Sequence, residues 1–281
     1  MAKVPGPGAR DNQLIEHLHI RVFTTSVVKA DRWWTGPHYS PFWRLYLNRQ
    51  AGASIDAGGG ALPLAANRLY IVPAWVRFTS RSPRPIDHCY SHFEVVGLPA
   101  TVIRELFNRP LRVKSERRIE QLARWWSIDM VSLKPVDLDI LLRTKALIFM
   151  SLASILRDMP ADAQERCARH LLGRRSMTAV LDHIEAQLSQ PLDNDRLSRL
   201  SHVGRDHFIR LFRQHIGQTP AQYILDRRVS RAAQALVFTH DSIKQIAEQN
   251  GFIDRYYFSR IFAARMGVPP AAYRKTSQVY H

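Results

Sequence analysis

The sequence predicts a multidomain chain of mixed α and β structure in three parts: a β-rich part over 1–110, a helical segment over 111–176 and an all-α part over 177–281. Three observations predict it. Short alternating apolar runs, broken by Gly and Pro clusters, fill the first part. Pro and Gly then nearly vanish, and helical periodicity takes over from about 115 to 173. The last part contains an internal repeat of a helix, a short turn and a second helix.

Composition narrows the classes. A chain of 281 residues suits about two domains. With 46% hydrophobic and 10% aromatic residues, wholesale disorder is excluded. The longest nearly apolar run, Ala146 to Leu156, is far short of the ~20 residues of a membrane span. The opening Met-Ala-Lys-Val-Pro-Gly-Pro-Gly-Ala-Arg has no apolar core of a signal peptide. Cys89 and Cys167 make neither a disulfide framework nor a zinc cage, and read as small buried residues. A soluble, cytoplasmic protein is expected. Its 40 Lys and Arg against 24 Asp and Glu, a net +16, imply a polyanionic partner.

In the first part Leu18–Phe23, Trp43–Leu47 and Leu69–Val72 alternate as strands, and His88–Val96 is a further strand. Gly36-Pro37, Gly58-Gly59-Gly60, Pro63, Pro73, Ser82-Pro83 and Pro85 mark turns, with the triple glycine read as a hairpin. Such spacing predicts a sandwich or barrel. In the second part Asp137 caps a helix with Leu138, Leu141, Leu142, Ile148, Phe149 and Leu152 on one stripe, interrupted by Lys145. Met159-Pro160 ends it. The stripe is broad enough to bury against the β part or to pair two copies of the chain, and both readings stay open.

The repeat carries the strongest signal. His207–Tyr223 aligns with Tyr257–Tyr273 at an offset of 50, with seven of 17 positions identical. They are Phe208/Phe258, Arg210/Arg260, Phe212/Phe262, Gly217/Gly267, Pro220/Pro270, Ala221/Ala271 and Tyr223/Tyr273. Upstream, Asp193 matches Ser242 and Leu197 matches Ile246 at an offset of 49. The change of offset falls in the turn of each unit, which absorbs it. Two copies are too few for a solenoid, so a duplicated binding module is predicted, with units at about 193–215 and 242–266. Asp193 caps the first unit and Gly204 marks its turn. Ser242-Ile-Lys-Gln245 opens the second with a capping box, Asn250-Gly251 stops its first helix, and Asp254 caps its second.

At 100° per residue, Phe208, Leu211, Phe212 and His215 share one face of the first unit's second helix. Asp206, Ile209, Arg210 and Arg213 lie opposite. In the second unit Phe258, Ile261, Phe262 and the stem of Arg265 face inward, while Tyr256, Ser259, Arg260 and Ala263 face out. A helix that exposes Arg beside small or hydrogen-bonding residues suits the major groove of double-stranded DNA. There Arg bonds guanine bidentately and Asp accepts from cytosine. One such helix alone reads more simply as a solvated face. The same outward Arg in both copies favours DNA. From Arg196 to His281, 14 Lys and Arg stand against 5 Asp and Glu, the excess that phosphate neutralisation requires. Arg205, Arg213 and Arg255 flank the helices where phosphates pass. Thr219 and Pro220 start a connecting helix to Phe238 of roughly 26 Å, against about 34 Å per DNA turn. One chain would then reach two successive grooves.

These residues resemble the AraC/XylS-type bacterial transcription regulators. The resemblance covers 177–277 and rests on Asp241-Ser-Ile-Lys-Gln-Ile-Ala-Glu-Gln-Asn-Gly-Phe252, Tyr257-Phe-Ser-Arg-Ile-Phe262 and Met266-Gly-Val-Pro-Pro-Ala-Ala-Tyr-Arg274. It implies base contacts from Asp206, Ile209 and Arg210, and from Arg255, Tyr256, Ser259 and Arg260. Gly204 stands where the family has a Ser cap, and Asp254-Arg-Tyr-Tyr replaces the more usual Asp-Pro-Ser-Tyr. Acidic Asp206 is unusual at its position. These departures bear on which operator is read. The segments Ser40–Leu47, Asn67–Pro73 and His88–Phe93 resemble the family's cupin-like β-barrel sensor, which implies a small-molecule effector, often a sugar. A homodimer, contact with RNA polymerase and a nucleoid location follow from the same resemblance.

The candidate effector residues are His38, Trp43, Tyr46, His88, Tyr90 and His92. Aromatic rings stack on sugars, although core packing is their commoner role. His88, Tyr90, His92 and Glu94 alternate onto one side of a strand. With His38, or with His17 and His19, they compose the donor set of a metal-dependent cupin enzyme. Ordinary half-buried histidines are the simpler reading, because the tight His-x-His followed by Glu is missing. No catalytic triad, phosphate-binding loop, metal or cofactor is expected. An RNA-binding or architectural basic protein remains the third alternative.

Overall fold

The structure is a computed structural model that describes residues 18–98, 100–129, 138–175 and 177–277. Strands β1 (His19–Ala30), β3 (Trp43–Asn48), β6 (Leu69–Val72), β8 (Ile86–Val96) and β9 (Leu111–Arg112) form one sheet, in the order β1-β8-β3-β6-β9. Strands β2 (Gly36–His38), β4 (Ala53–Asp56), β5 (Ala61–Leu64) and β7 (Phe78–Arg81) form a second, ordered β2-β7-β4-β5. Neighbours in both sheets are antiparallel. The β4–β5 hairpin turns through Gly58 and Gly60, at φ +91° and +99°, values that glycine adopts without strain.

The central strands use both faces. Trp43, Leu45, Leu47, Cys89 and Phe93 pack on a helical layer. Tyr46, Tyr70, Val72 and Tyr90 meet Ile55, Leu64 and Phe78 of the second sheet. Period-two alternation places these sets on opposite sides. The helical layer consists of α1 (Ala100–Leu106), α2 (Arg117–Asp129), α3 (Leu138–Arg157) and α4 (Ala161–Arg175). Helix α1 precedes residue 110, and β9, just after it, pairs Arg112 with Tyr70 of the five-stranded sheet.

Helix α3 corrects the predicted stripe. Asp137, its expected cap, lies outside the described residues. The buried face carries Ile140, Thr144, Leu147, Ile148, Ser151, Leu152, Ser154 and Ile155. Leu138 and Leu142 are 64% and 57% exposed, and Leu141 and Phe149 are exposed as well. The buried face sits roughly 100° round the helix from the predicted stripe. Hydroxyl residues account for the difference. The Trp126 indole donates to Thr144 Oγ1 at 2.9 Å, and Ser154 Oγ donates to Glu116 at 2.7 Å. Satisfied hydroxyls bury at little cost, so they belong to the core face that a count of apolar residues overlooks.

The C-terminal helices are α5 (Thr178–Ala186), α6 (Asn194–Leu200), α7 (Arg205–Ile216), α8 (Pro220–Phe238), α9 (Ile243–Gln249), α10 (Arg255–Met266) and α11 (Pro270–Ser277). The repeat is structural as well as sequential. Phe208, Phe212, Phe258 and Phe262 are fully buried. Tyr223 meets Phe212 edge-on at 5.7 Å, and Tyr273 meets Phe262 at 5.3 Å. Gly217 and Gly267 end α7 and α10 at φ +82° and +80°, the left-handed closure that favours glycine. Asp193, Thr219, Ser242 and Asp254 cap their helices through side-chain oxygens. Arg265 pairs with buried Asp226 at 2.8 Å and ties α10 to the connector α8.

The β part and the helical part share a seam. Phe238, at the end of α8, lies 5.8 Å from Phe23 and 5.9 Å from Phe42. Phe42 belongs to the core of the second helix pair. Among the described residues, no helix is long and apolar enough to cross a membrane.

Candidate nucleic-acid interface and cavity

Helices α7 and α10 expose the surface that the repeat predicts. Arg205, Asp206, Arg210, Arg213, Arg255, Tyr256 and Arg260 are exposed, while Ile209 and Ser259 are half-buried. Ile209 leans on the core of the first pair. Ser259 Oγ donates to the Arg255 carbonyl at 2.8 Å, so its hydroxyl hydrogen is turned to its own helix. The Arg255 guanidinium rests 4.9 Å from the Tyr256 ring, and Arg260 lies 5.5 Å from the Tyr257 ring. These stacks hold both cations near the helix surface in defined directions. Arg205 approaches Asp195 at 3.8 Å, an exposed pair worth little by itself. Ile253, 90% exposed in the turn before α10, has no role in the sequence reading. An apolar residue at a turn position is the signal that marks it.

The two sheets and the seam border a partly open cavity of about 450 Å³. His38, Tyr46, His88, Tyr90 and His92 line it. Trp43 does not. It faces the helical layer, 5.1 Å from Phe107, because it is one residue out of phase with Arg44 and Tyr46. The β3–β8 register pairs Arg44 with His92, Tyr46 with Tyr90 and Asn48 with His88. Arg44, Phe42, Arg77, Val237, Met266 and Tyr273 also line the cavity, and none was a predicted site residue. A cation at the inward phase of an otherwise apolar strand is the signal that identifies Arg44.

The histidines hold fixed hydrogen bonds. His38 Nε2 lies 2.5 Å from Ser80 Oγ, and His88 Nδ1 lies 2.7 Å from Asn48 Oδ1. Burial pushes His38 down to about 3, helped by the nearby Arg44 charge, and burial alone pushes His88 down to about 3. Both rings are therefore neutral at pH 7. Burial also raises the Tyr90 hydroxyl and pushes the Cys89 thiol up to about 11. Among the described residues, no group of three or more His, Cys, Asp or Glu could hold a metal ion. His19 pairs with Val96, whereas His88 pairs with Val28 further along the same strand pair, so the strands hold the two apart. His17 lies outside the described residues.

Residues 197–276 match the helix-turn-helix domain family. The multiple antibiotic resistance protein MarA of Escherichia coli (strain K12) is 33% identical over 99 residues, which are 35% of this chain and 78% of MarA. The chain belongs to the AraC family of helix-turn-helix transcriptional regulators. AraC-family proteins are regulators rather than enzymes. The HTH-type transcriptional regulator YfiF of Bacillus subtilis (strain 168) is 36% identical over 98 residues, 35% of this chain. The match spans only 31% of YfiF's length. Over the whole AraC-type chain the likeness is one of fold. ToxT from Vibrio cholerae O395 superposes with a TM-score of 0.53 at 15% identity, covering 90% of this chain and 97% of ToxT. ToxT has also been solved bound to (E)-4-(8-methylnaphthalen-1-yl)but-3-enoic acid.

Proposed function

We propose that this chain is an effector-responsive, sequence-specific DNA-binding transcription regulator. The repeat carries the reading: two helix pairs, each with an outward Arg at the same phase, are joined by one capped helix of 19 residues. Each pair acts as a helix-turn-helix unit, and α7 and α10 enter two successive major grooves. Arg205 and Arg213 take phosphates. Asp206, Ile209 and Arg210 read one block of bases, and Arg255, Tyr256, Ser259 and Arg260 read the other. Residues 1–110 work as a cupin-like sensor, 111–176 as the linking and dimerising segment, and 177–281 as the DNA reader. The cavity between the sheets, and the small acid bound by the similarly folded ToxT, support a small-molecule effector. The exposed apolar face of α3 supports a homodimer. RNA polymerase is the partner through which a DNA-bound regulator of this kind acts.

Selection of randomised 30-base-pair duplexes by the full chain tests the reading. The enriched site should contain two blocks about one helical turn apart. Arg210→Ala should relax one block and Arg260→Ala the other, with non-specific binding largely kept. Absence of an enriched motif, or unchanged selection by both variants, overturns the DNA assignment. The effector part is tested separately with a reporter driven by the selected site. Val28→Trp, which fills the cavity, should change the reporter's response and leave in vitro affinity for the site intact. Identical reporter output across growth conditions removes the effector from the reading.

A further inference from the structure

Arg44 is only 6% exposed and faces the cavity. Its Nη1 has no hydrogen-bond partner, and among the described residues it pairs with no carboxylate. Arg227, the other deeply held guanidinium on the seam, has two carboxylates, Glu94 and Glu185. Phe42 and Phe78 lie 4.8 and 5.2 Å from the Arg44 guanidinium carbon and offset part of its desolvation through their ring faces. Two aromatic faces do not replace a counter-ion for a guanidinium held this far from water.

Among the described residues the lining holds one carboxylate, Asp56, and no ion pair joins it to Arg44. The neutral histidines are committed to Ser80 and Asn48. The Tyr90 hydroxyl is raised by burial and stays protonated. Asp56, at the rim, accepts from the Gly58 backbone N–H at 2.8 Å and serves the hairpin turn. Arg77, the second lining cation, is stacked 4.1 Å from the Tyr39 ring and donates to the Met266 carbonyl at 3.4 Å. The cavity is thus an aromatic chamber with a buried positive charge at one wall. A polyhydroxylated sugar needs a ring of donors and acceptors, and His38, His88 and Asp56 are already committed to Ser80, Asn48 and the Gly58 N–H. A single anionic head on an apolar body matches what is present.

We infer that the cavity binds an aromatic or apolar monocarboxylate, its carboxylate paired with Arg44 and its body against Phe42, Phe78 and Tyr46. The inference rests on the effector reading above and names the ligand class for it. The carboxylate supplies the missing counter-charge and takes the idle Nη1 donor, in the bidentate geometry that guanidinium favours. The far wall is made by Val237, Met266 and Tyr273 of the helical part, so the ligand touches both sides of the seam.

Calorimetry on the full chain tests the inference with trans-cinnamate, 4-phenylbutanoate and 1-naphthoate. Cinnamamide serves as the uncharged counterpart, and L-arabinose and D-xylose as sugars. At least one acid should bind saturably at one per chain, and cinnamamide at least tenfold more weakly than cinnamate. Arg44→Gln should weaken the acids at least tenfold and leave the amide unchanged. Arg44→Met should raise the melting temperature of the ligand-free chain, because an uncompensated charge leaves the interior, while the acids no longer shift it. Val28→Trp should abolish acid binding with Arg44 in place, which keeps the test valid if an Arg44 variant misfolds. Equal affinity for acid and amide, indifference to Arg44→Gln, or no heat from all three acids overturns the inference. A saturable sugar in that last case leaves the effector reading standing and replaces the ligand class. Reporter output insensitive to Val28→Trp removes the effector reading itself.

Discussion

Arg227, on the Pro220–Phe238 helix, pairs with Glu94 on the Ile86–Val96 strand and through Nε with Glu185 at 2.5 Å. One guanidinium thereby joins the β sheet to two helices of the DNA-reading part. Burial opposes its charge, and the Glu94 and Glu185 carboxylates more than offset that, holding the group protonated.

Arg227→Ala should therefore destabilise the chain by about 3 kcal/mol, because it leaves buried Glu94 with the exposed Arg21, at 3.4 Å, as its ion-pair partner. The double variant Arg227→Met, Glu94→Gln should cost less than the two single changes added together, since the buried carboxylate of Glu94 is removed along with its partner. Urea unfolding of the four proteins gives the coupling energy directly. Additive losses would show that the pair contributes nothing.

The turns of the two helix pairs differ at one backbone position. Gly251 in the second has φ +74°, and His202, its counterpart at an offset of 49, has φ +53°. A non-glycine residue in this region costs roughly 1 kcal/mol. His202→Gly should thus raise stability by a few tenths of a kcal/mol to about 1, net of the flexibility glycine adds to the unfolded chain. Gly251→Ala should lower it by more than 1 kcal/mol. The added Cβ would lie 2.7 Å from the Leu188 carbonyl, on top of the backbone strain. Thermal melts of both variants check the pair of signs.

Leu138, Leu142 and Phe149 of α3, with Trp125 and Ile128 of α2, expose large apolar side chains. The double substitution Leu142→Glu, Phe149→Ser should convert a self-associating chain to monomers at micromolar concentration, with little change in melting temperature. Sedimentation velocity reads the outcome. Unchanged sedimentation, or a parent chain that already runs as a monomer, would remove this face as a dimer contact.

Acid should weaken the β part through its neutral histidines. His38 and His88 titrate at about 3 when folded against 6.5 when unfolded. The unfolded chain thus binds more protons below pH 6.5. The stability these residues contribute is complete above that pH and falls as pH drops toward 3. Between pH 6.5 and 4.5 each should cost about 2–3 kcal/mol. Urea unfolding at the two pH values, with His38→Gln and His88→Asn as controls, should show a shallower acid loss in each variant.

The helical part was legible almost residue by residue. Its caps, glycine closures and 3.6 periodicity are local signals, and duplication let Arg210 and Arg260, or Phe212 and Phe262, corroborate each other. The β part was legible only where a strand was long. Strands such as Gly36–His38 and Phe78–Arg81 hold three or four residues and depend on partners distant in sequence. The cavity was half legible. Alternation grouped His88, Tyr90 and His92, but Trp43 and Tyr46, three residues apart on one strand, had to face opposite ways. Arg44 was passed over because a charged residue in a strand reads first as solvent-facing. In α3, buried Thr144 and Ser154, bonded to Trp126 and Glu116, and buried Ser151 shifted the core face, since hydroxyl residues do not register as apolar.

The alternation along Trp43–Asn48 has a consequence for how such a regulator changes over time. Arg44 and Tyr46 border the chamber, and the odd-numbered Trp43, Leu45 and Leu47 anchor the helical layer whose outer side carries the exposed leucines. On the proposed function, substitutions at Arg44 or Tyr46 would retune the ligand while leaving the helical layer untouched, and substitutions at Trp43, Leu45 or Leu47 would act on that layer instead. A six-residue segment would let ligand preference and helical packing drift independently.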